Sequence, residues 1–210
     1  MFIAPILFLV CGYSLIYLIG LPVINFTTSS LSLFLLADTP NFEEKTAKIN
    51  IQSEQTNTEI ASSTLDYPKS GSQYGYVVIE KLKLNEPLYF GDTNEILRKG
   101  AGQYTGSVYP GEKVTSLIGG HNVDGFGKII ALQAGDIVQL KTVYGSYKYQ
   151  VKNSEVKRYD DQAILDQVFQ RDNYQLILYT CYPVDAIGLT NERLFVFADL
   201  ISGPIINPDK

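Results

Sequence analysis

Residues of uncommon type carry most of the chemical information in this chain of 210 residues. His121 is the only histidine, and the cysteines are Cys11 and Cys181. Cys11 lies within an apolar N-terminal run, so we do not expect it to reach Cys181 and form a disulfide within one domain. A thiolate can attack an amide carbonyl, and an imidazole can protonate the leaving amine near neutral pH. Cys181 and His121 are therefore candidates for the nucleophile and the acid/base of cysteine-based amide cleavage.

Arg193 is the third candidate. The apolar run YQLILYTC ends at Cys181, and the next apolar run, RLFVFADLI, begins at Arg193. If the two runs pair as a β-hairpin, the end of the first lies beside the start of the second. A guanidinium there favours the thiolate and can stabilise an oxyanion, a contact worth on the order of 10²–10³ in rate. Taken singly, the same residues could be an inert buried thiol, a loop histidine and a solvated arginine.

The composition argues against several classes of function. A net charge of -5 gives no basic stripe to neutralise phosphates, so we expect no nucleic-acid partner. One histidine and two cysteines are too few for structural zinc, which takes four such ligands. We therefore predict no metal and no cofactor, although composition leaves carboxylate-supplemented metal sites open.

The elements that must position these residues are short strands. Asn94–Lys99 and Asp160–Phe169 are predicted to form short helices. The strand-forming segments are rich in β-branched and aromatic residues; they are Tyr74–Leu82, Asn85–Phe90, Lys113–Gly120, Asp136–Gly145, Ser146–Arg158, Tyr174–Cys181 and Arg193–Ile201. Many short strands with few helices predict an all-β domain over residues 74–205, folded as a closed or nearly closed antiparallel barrel.

The N-terminal part of the chain has a different composition. No charged residue occurs before Asp38, and the apolar run is longer than the roughly 20 residues that cross a bilayer as a helix. We predict an uncleaved transmembrane signal anchor over residues 1–26, with a cleaved signal peptide as the alternative. Residues 27–73 are predicted to form a polar linker, and residues 206–210 a tail. The chemistry of the domain, not loop charge, indicates that it lies on the extracytoplasmic side of the membrane.

Motifs around the candidate residues resemble those of one family. The run Leu178-Tyr179-Thr180-Cys181, followed by Pro183, is similar to the sortase signature Leu-x-Thr-Cys. Gly120-His121-Asn122 resembles the sortase histidine motif, and Arg193-Leu-Phe-Val resembles the strand with the essential arginine. The resemblance implies a closed eight-stranded sortase-type β-barrel behind an N-terminal transmembrane helix. It also implies His121, Cys181 and Arg193 as catalytic residues.

The resemblance implies an activity and its partners. Cys181 would attack the Thr–Gly or Thr–Ala bond of a Leu-Pro-x-Thr-type sorting signal on a secreted protein. The thioacyl-enzyme would then pass to an amine of peptidoglycan or of a pilin. The residues implied to contact substrate are Thr180, Gly120, Asn122, Tyr182 and Pro183. The Thr-Cys-Tyr-Pro run and the short Cys-to-Arg loop look most like class D.

Two other interpretations of the sequence are open. One is a membrane-anchored cysteine endopeptidase of another fold, but the Gln-Ala-Cys of caspase-like proteins and the Ser-x-Gly-Cys of L,D-transpeptidases are absent around Cys181. The other is a non-catalytic extracytoplasmic β-domain for binding. It would give His121, Cys181 and Arg193 no reason for their order along the chain.

Overall fold

The computed structural model describes residues 59–122, 125–169, 173–186 and 190–210, together with Leu9, residues 12–14 and Tyr17. The chain divides into two compact units, Met1–Ala47 and Lys48–Lys210. Among the residues described, no helix has the length and hydrophobicity required to span a bilayer. Most of the predicted anchor over residues 1–26, and the linker up to residue 58, lie outside the described residues.

The second unit contains ten strands and a few short helices in its described part. In chain order the strands are β1 (Glu59–Ala61), β2 (Gln73–Ile79), β3 (Leu84–Phe90), β4 (Ala101–Gln103), β5 (Val114–Gly119), β6 (Ile137–Thr142), β7 (Gly145–Arg158), β8 (Tyr174–Tyr182), β9 (Glu192–Ser202) and β10 (Ile205–Asn207). The α-helices are α1 (Asn94–Leu97) and α2 (Gln162–Val168), and 3-10 helices cover Ser62–Thr64, Glu80–Leu82 and Phe126–Ala131. Strands β2 to β9 close a barrel in the order β2-β3-β4-β5-β8-β9-β7-β6.

The barrel is closed, as predicted, but it is not wholly antiparallel. Strand β3 pairs with β4 in parallel, and β5 pairs with β8 in parallel. Parallel neighbours require a long crossover, and the chain between β5 and β8 supplies one that contains β6, β7 and α2. Because parallel strands end at the same edge of a sheet, the C-terminal ends of β5 and β8 lie side by side. This arrangement determines where the candidate residues meet.

Strand β8 is buried on both of its faces, which explains its continuous apolar sequence. Leu176 and Leu178 point into the barrel and belong to its core. Ile177 points outward and packs under α2, where Ile164 and Val168 complete a second apolar cluster. Helix α2 begins with Asp161 as its N-cap, whose carboxylate accepts a hydrogen bond from the Ala163 N–H. The helix therefore covers one outer face of the barrel.

The described strands include one before the predicted boundary at residue 74. Strand β1 lies within the predicted linker, and it pairs in parallel with β10, which extends into the predicted tail. The Glu59 carboxylate accepts hydrogen bonds from Asn207 Nδ2 at 2.5 Å and Lys210 Nζ at 2.6 Å. A strand of three residues has too few positions to show alternation. Within a polar segment, β1 could therefore not be recognised from the sequence.

Candidate active site

Cys181 and Arg193 lie opposite each other on neighbouring strands. Strands β8 and β9 form an antiparallel hairpin in which Cys181 pairs with Arg193 and Thr180 with Leu194. This confirms the hairpin predicted from the order of the two apolar runs. Directly opposed residues of an antiparallel pair have their Cβ atoms about 4.5–5.5 Å apart and on the same face of the sheet. The thiol-bearing and guanidinium-bearing residues are thus neighbours at one end of the barrel.

His121 leaves the end of β5 beside Cys181. The parallel register pairs Gly119 with Tyr179, and the Gly120 N–H donates to the Tyr179 carbonyl at 3.2 Å. The Thr180 hydroxyl donates to the Gly120 carbonyl at 2.8 Å. One further step along both strands leads to His121 on one and to Cys181 on the other. Sequence could not show that these strands are neighbours, and the structure places them so.

The three candidate residues are all accessible in part. His121, Cys181 and Arg193 are half-buried, and the Cys181 sulfur is a free thiol. A buried, inert cysteine would instead point into the core with Leu178. Alternation along β8 places Cys181 on the outer face with Tyr179, whereas Thr180 points into the barrel. The thiol therefore faces the side of the sheet that a substrate can reach.

Thr180 and Tyr182, implied by the family motif as substrate contacts, lie on the inner face of β8. Thr180 is 1% exposed, and its hydroxyl bridges β8 to the Gly120 carbonyl. Tyr182 is half-buried and packs against the barrel core. In this structure Thr180 holds together the two strand ends that carry His121 and Cys181. Direct contact of either side chain with substrate stays a prediction.

The glycine pair before His121 is required by two aromatic rings. A methyl group built at Gly119 would lie 2.3 Å from Cζ of Tyr179, and one built at Gly120 would lie 2.4 Å from Cγ of Phe126. Both distances are far below van der Waals contact, so the rings leave no room for a side chain at either glycine. Sequence reasoning included Gly120 but missed Gly119, Tyr179 and Phe126. Glycine in the Gly-Gly-His run lies opposite tyrosine in the Leu-Tyr-Thr-Cys run. This match could indicate close packing, but only once the two strands are known to be adjacent.

Asn122 fastens the histidine loop to the loop that follows Cys181. Its side-chain Nδ2 donates to the Val184 carbonyl at 2.9 Å and to the Ala186 carbonyl at 3.0 Å. The Ala186 N–H donates in turn to the Pro183 carbonyl at 3.1 Å, closing a turn. The structure thus gives Asn122 a bracing contact between the two loops. The implied substrate contacts of Asn122 and Pro183 stay predictions.

Replacing Asn122 with alanine should therefore reduce activity more than stability. The variant loses two hydrogen bonds that connect the His121 loop to the loop that follows Cys181, and misplacement of a catalytic group by about 1 Å can cost about 100-fold in rate. We expect turnover to fall about 10- to 100-fold, measured by steady-state kinetics alongside the thermal midpoint. Asn153→Ala is the matched control, because the Asn153 amide contacts only the exposed Glu155 carboxylate among its described hydrogen bonds. Equal activity of the two variants would exclude the bracing role.

The Arg193 guanidinium is held from one side. Its Nη1 donates to the Thr190 carbonyl at 2.6 Å, to the Thr190 hydroxyl at 3.3 Å and to the Glu192 carbonyl at 2.8 Å. Cζ lies 6.0 Å from the centroid of the Tyr159 ring, within the range of a cation–π contact. All hydrogen bonds of this guanidinium to described residues come from Nη1. The fork geometry leaves Nη2 and Nε as donors that can face a reacting carbonyl.

An apolar groove of about 360 Å³ lies on the outer face of the barrel, with Arg193 in its wall. Its lining residues include Tyr104, Leu117, Ile164, Leu165, Val168, Tyr179 and Phe195. Helix α2 forms one side and the outer face of β5, β8 and β9 forms the floor. A groove of this size and composition suits an extended peptide with apolar side chains.

One carboxylate lies in the wall of this groove. The Tyr179 hydroxyl donates to Asp92 Oδ2 at 3.5 Å, a long hydrogen bond. Partial burial raises the pKa of the Asp92 carboxyl, although hydrogen bonds from its own backbone and from Tyr179 act in the opposite direction. Burial also raises the pKa of Tyr179, with the Asp92 charge as a further cause. The groove is therefore apolar except for the hydrogen-bonded pair of Tyr179 and Asp92.

Metal ligation has no geometric support in the described part of the chain. Within it, no group of three or more His, Cys, Asp or Glu side chains could hold a metal ion. The prediction that the protein uses neither metal nor cofactor stays a prediction.

The fold and the site define the class of protein with which this chain should be compared. A closed eight-stranded barrel carries a thiol, an imidazole and a guanidinium at adjacent strand ends, as in enzymes that transfer acyl groups through cysteine. Residues 77–201 match the family model described as the Sortase domain. This match covers more than half of the chain, so the chain belongs to the sortase family and is a cysteine transpeptidase. The family resemblance, the barrel and the enzyme class predicted from the sequence are confirmed.

Individual relatives support the same assignment. The chain is 29% identical to sortase D of Bacillus subtilis (strain 168) over 135 residues, covering 64% of this chain and 67% of the relative. A Clostridium perfringens sortase D5 transpeptidase superposes with a TM-score of 0.57 at 26% identity, covering 66% of this chain and 85% of that one. Clostridium perfringens sortase C, in a structure with its C-terminal cell wall sorting motif, gives 0.56 at 29% identity, covering 63% and 72%.

Proposed function

We propose that this protein is a membrane-anchored sortase that joins secreted proteins to an amine of the cell envelope. Cys181 is the nucleophile, His121 the acid/base and Arg193 the oxyanion stabiliser. The observation that carries the proposal is the meeting of the ends of β5, β8 and β9, which places these residues at one edge of the barrel. The same convergence disfavours a binding domain, which would not need a thiol, an imidazole and a guanidinium together.

The first half-reaction forms a thioacyl-enzyme. The Cys181 thiolate attacks the carbonyl of the threonine in a Leu-Pro-x-Thr-Gly or Leu-Pro-x-Thr-Ala signal, and a C–S bond forms. Negative charge develops on the carbonyl oxygen, where Arg193 donors not held by Thr190 stabilise it. The C–N bond then breaks, and the His121 imidazolium gives its proton to the leaving amine.

The second half-reaction returns the enzyme to its starting state. An amine of peptidoglycan or of a pilin attacks the thioester carbonyl, forming the new C–N bond and releasing the Cys181 thiolate. The proton lost from the amine nitrogen passes to His121, which is neutral after the first step. The imidazole therefore serves as acid and then as base.

The apolar groove suits the part of the signal that precedes the scissile bond. Arg193 lies in its wall, and Tyr179, two residues before Cys181 on the same face of β8, forms part of its floor. Leucine and proline side chains laid along Leu117, Val168 and Phe195 would bury apolar surface at about 25 cal/mol per Å². This supports a signal that begins with Leu-Pro.

The anchoring, location and subclass rest on the sequence. Residues 1–26 would hold the enzyme in the membrane as a single pass, with the barrel outside. The Thr-Cys-Tyr-Pro run at the end of β8 and the likeness to Bacillus subtilis sortase D favour class D. The same subclass is compatible with the likeness to the Clostridium perfringens sortase D5 transpeptidase.

The proposed function is tested with quenched peptides. We expect the full chain in detergent to cleave a Leu-Pro-x-Thr-Gly or Leu-Pro-x-Thr-Ala peptide, with product followed by fluorescence and mass spectrometry. Added amine should shift the product from the free acid to the amide. A peptide of the same composition in scrambled order is the control and should stay intact. Cleavage of the scrambled peptide at the same rate would indicate a general endopeptidase instead.

A further inference from the structure

A second cavity lies beside His121 and shares no lining residue with the apolar groove. It measures about 70 Å³, room for a small polar head group. Its wall includes Gly120, His121 and Phe126 on one side, and Glu86, Arg98 and Lys99 on the other. The groove is apolar, whereas this cavity carries charges of both signs around the imidazole.

Two elements of the fold carry these charged residues. Glu86 lies on β3, and Arg98 and Lys99 follow α1, whose N-cap Thr93 accepts a hydrogen bond from the Ile96 N–H. The backbone of the next residue, Gly100, packs so closely on β3 that an added methyl group would lie 2.4 Å from the Pro87 carbonyl oxygen. The end of α1 is therefore fixed against the strand that carries Glu86.

The position of the cavity assigns it to one half of the reaction. His121 gives a proton to the departing amine and takes one from the arriving amine, so both amines must occupy the His121 side of the thioester. The signal before the scissile bond lies on the other side, in the groove with Arg193. Because His121 lines this cavity, an amine bound there lies next to the residue that must take its proton.

We propose that this cavity is the acceptor subsite, and that it selects an amine whose own carbon also carries a carboxylate, as at the free end of an amino acid. The inference rests on the proposed function. Glu86 attracts the ammonium form of the acceptor, while Arg98 and Lys99 pair with its carboxylate. A lysine-type amine or a peptide N-terminus lacks that carboxylate and leaves the two cations without a partner from the acceptor.

The reaction at this subsite follows from these contacts. The fraction of acceptor that has released a proton to solvent attacks as the neutral amine, forming the C–N bond as the C–S bond to Cys181 breaks. The second proton passes from nitrogen to the His121 imidazole. Arg98 and Lys99 hold the carboxylate throughout and take no part in proton transfer. They act as binding residues for the acceptor.

Glycine and glycinamide test the proposal, because they differ in the carboxylate that the subsite is proposed to read. The full chain in detergent is given a sorting peptide with each acceptor, and the ratio of the two aminolysis rates is measured. The same ratio is measured for the double variant Arg98→Gln and Lys99→Gln. Dividing the wild-type ratio by the variant ratio cancels the intrinsic reactivities of the two amines. We expect the preference for glycine to fall about three- to tenfold, as suits two partly exposed charge pairs.

Lys128→Gln is the matched control. It removes one exposed positive charge from the 3-10 helix Phe126–Ala131, next to the cavity but outside its lining, and should leave the ratio at its wild-type value. An unchanged ratio in the double variant, or an equal fall in the control, overturns the subsite while cleavage of the peptide upholds the proposed function. Absence of any peptide cleavage by wild type would overturn the proposed function and this inference with it.

Discussion

Replacing Cys181 with alanine is expected to abolish cleavage of a sorting peptide, with a loss of at least about 10⁴-fold in turnover. In the proposed mechanism the Cys181 sulfur forms the acyl intermediate, and neither Arg193 nor His121 on the neighbouring strand ends can replace it. Because Cys181 is half-buried on the outer face of β8, its truncation should leave the fold intact. Steady-state cleavage and the thermal midpoint measure both effects.

Two further measurements sharpen this prediction. A peptide analogue with a thiol-reactive group at the scissile position should label wild type once, seen as one adduct by mass spectrometry. The Cys181→Ala variant should stay unlabelled. Cys11→Ala, which removes the other thiol in the sequence, should keep full activity and labelling. Turnover by Cys181→Ala near the wild-type rate would assign the nucleophile to another residue and refute the proposed mechanism.

The hairpin that joins Cys181 to Arg193 could be predicted because its two strands are consecutive in the chain. Consecutive strands pair in about two-thirds of cases, and the apolar runs themselves mark where each strand ends or begins. The approach of His121 to Cys181 depends instead on the parallel pairing of β5 with β8. No local pattern records that pairing, because it is a property of the closed barrel. The family resemblance implied the convergence, and the structure supplies its cause.

Features that the sequence did not predict share a physical origin. Strands β1, β4 and β10 each have three residues, too few for alternation to appear. The 3-10 helix Phe126–Ala131 has no amphipathic repeat, yet Phe126 is 2% exposed and its ring lies against Gly120. The sequence places Asn122 in a loop, and its bracing role is recognised only from its hydrogen bonds to two distant carbonyls. In each case the stabilising partner is distant in the sequence.

Arg193→Lys is expected to lower kcat/KM by about 10²–10³, the loss typical of one oxyanion donor. In the proposed mechanism the guanidinium has two tasks at once: Nη1 donates to the Thr190 and Glu192 carbonyls, and the remaining donors stabilise the carbonyl oxygen of the substrate. A lysine ammonium is a single point donor on a flexible stem. It can hold the loop or reach the oxyanion, but it cannot keep both contacts in the same planar geometry.

Arg158→Lys provides the comparison that isolates this geometric argument. Arg158 pairs with Glu192 in the β7–β9 register, one position from Arg193, and its fork contacts Asp160 at 2.9 and 3.0 Å. Both variants keep the positive charge and lose the planar fork, but only Arg193 is the register partner of Cys181. We therefore expect Arg158→Lys to retain nearly full kcat/KM. If Arg193→Lys retained it as well, positive charge alone would suffice at that position and the fork would have no role in stabilising the oxyanion.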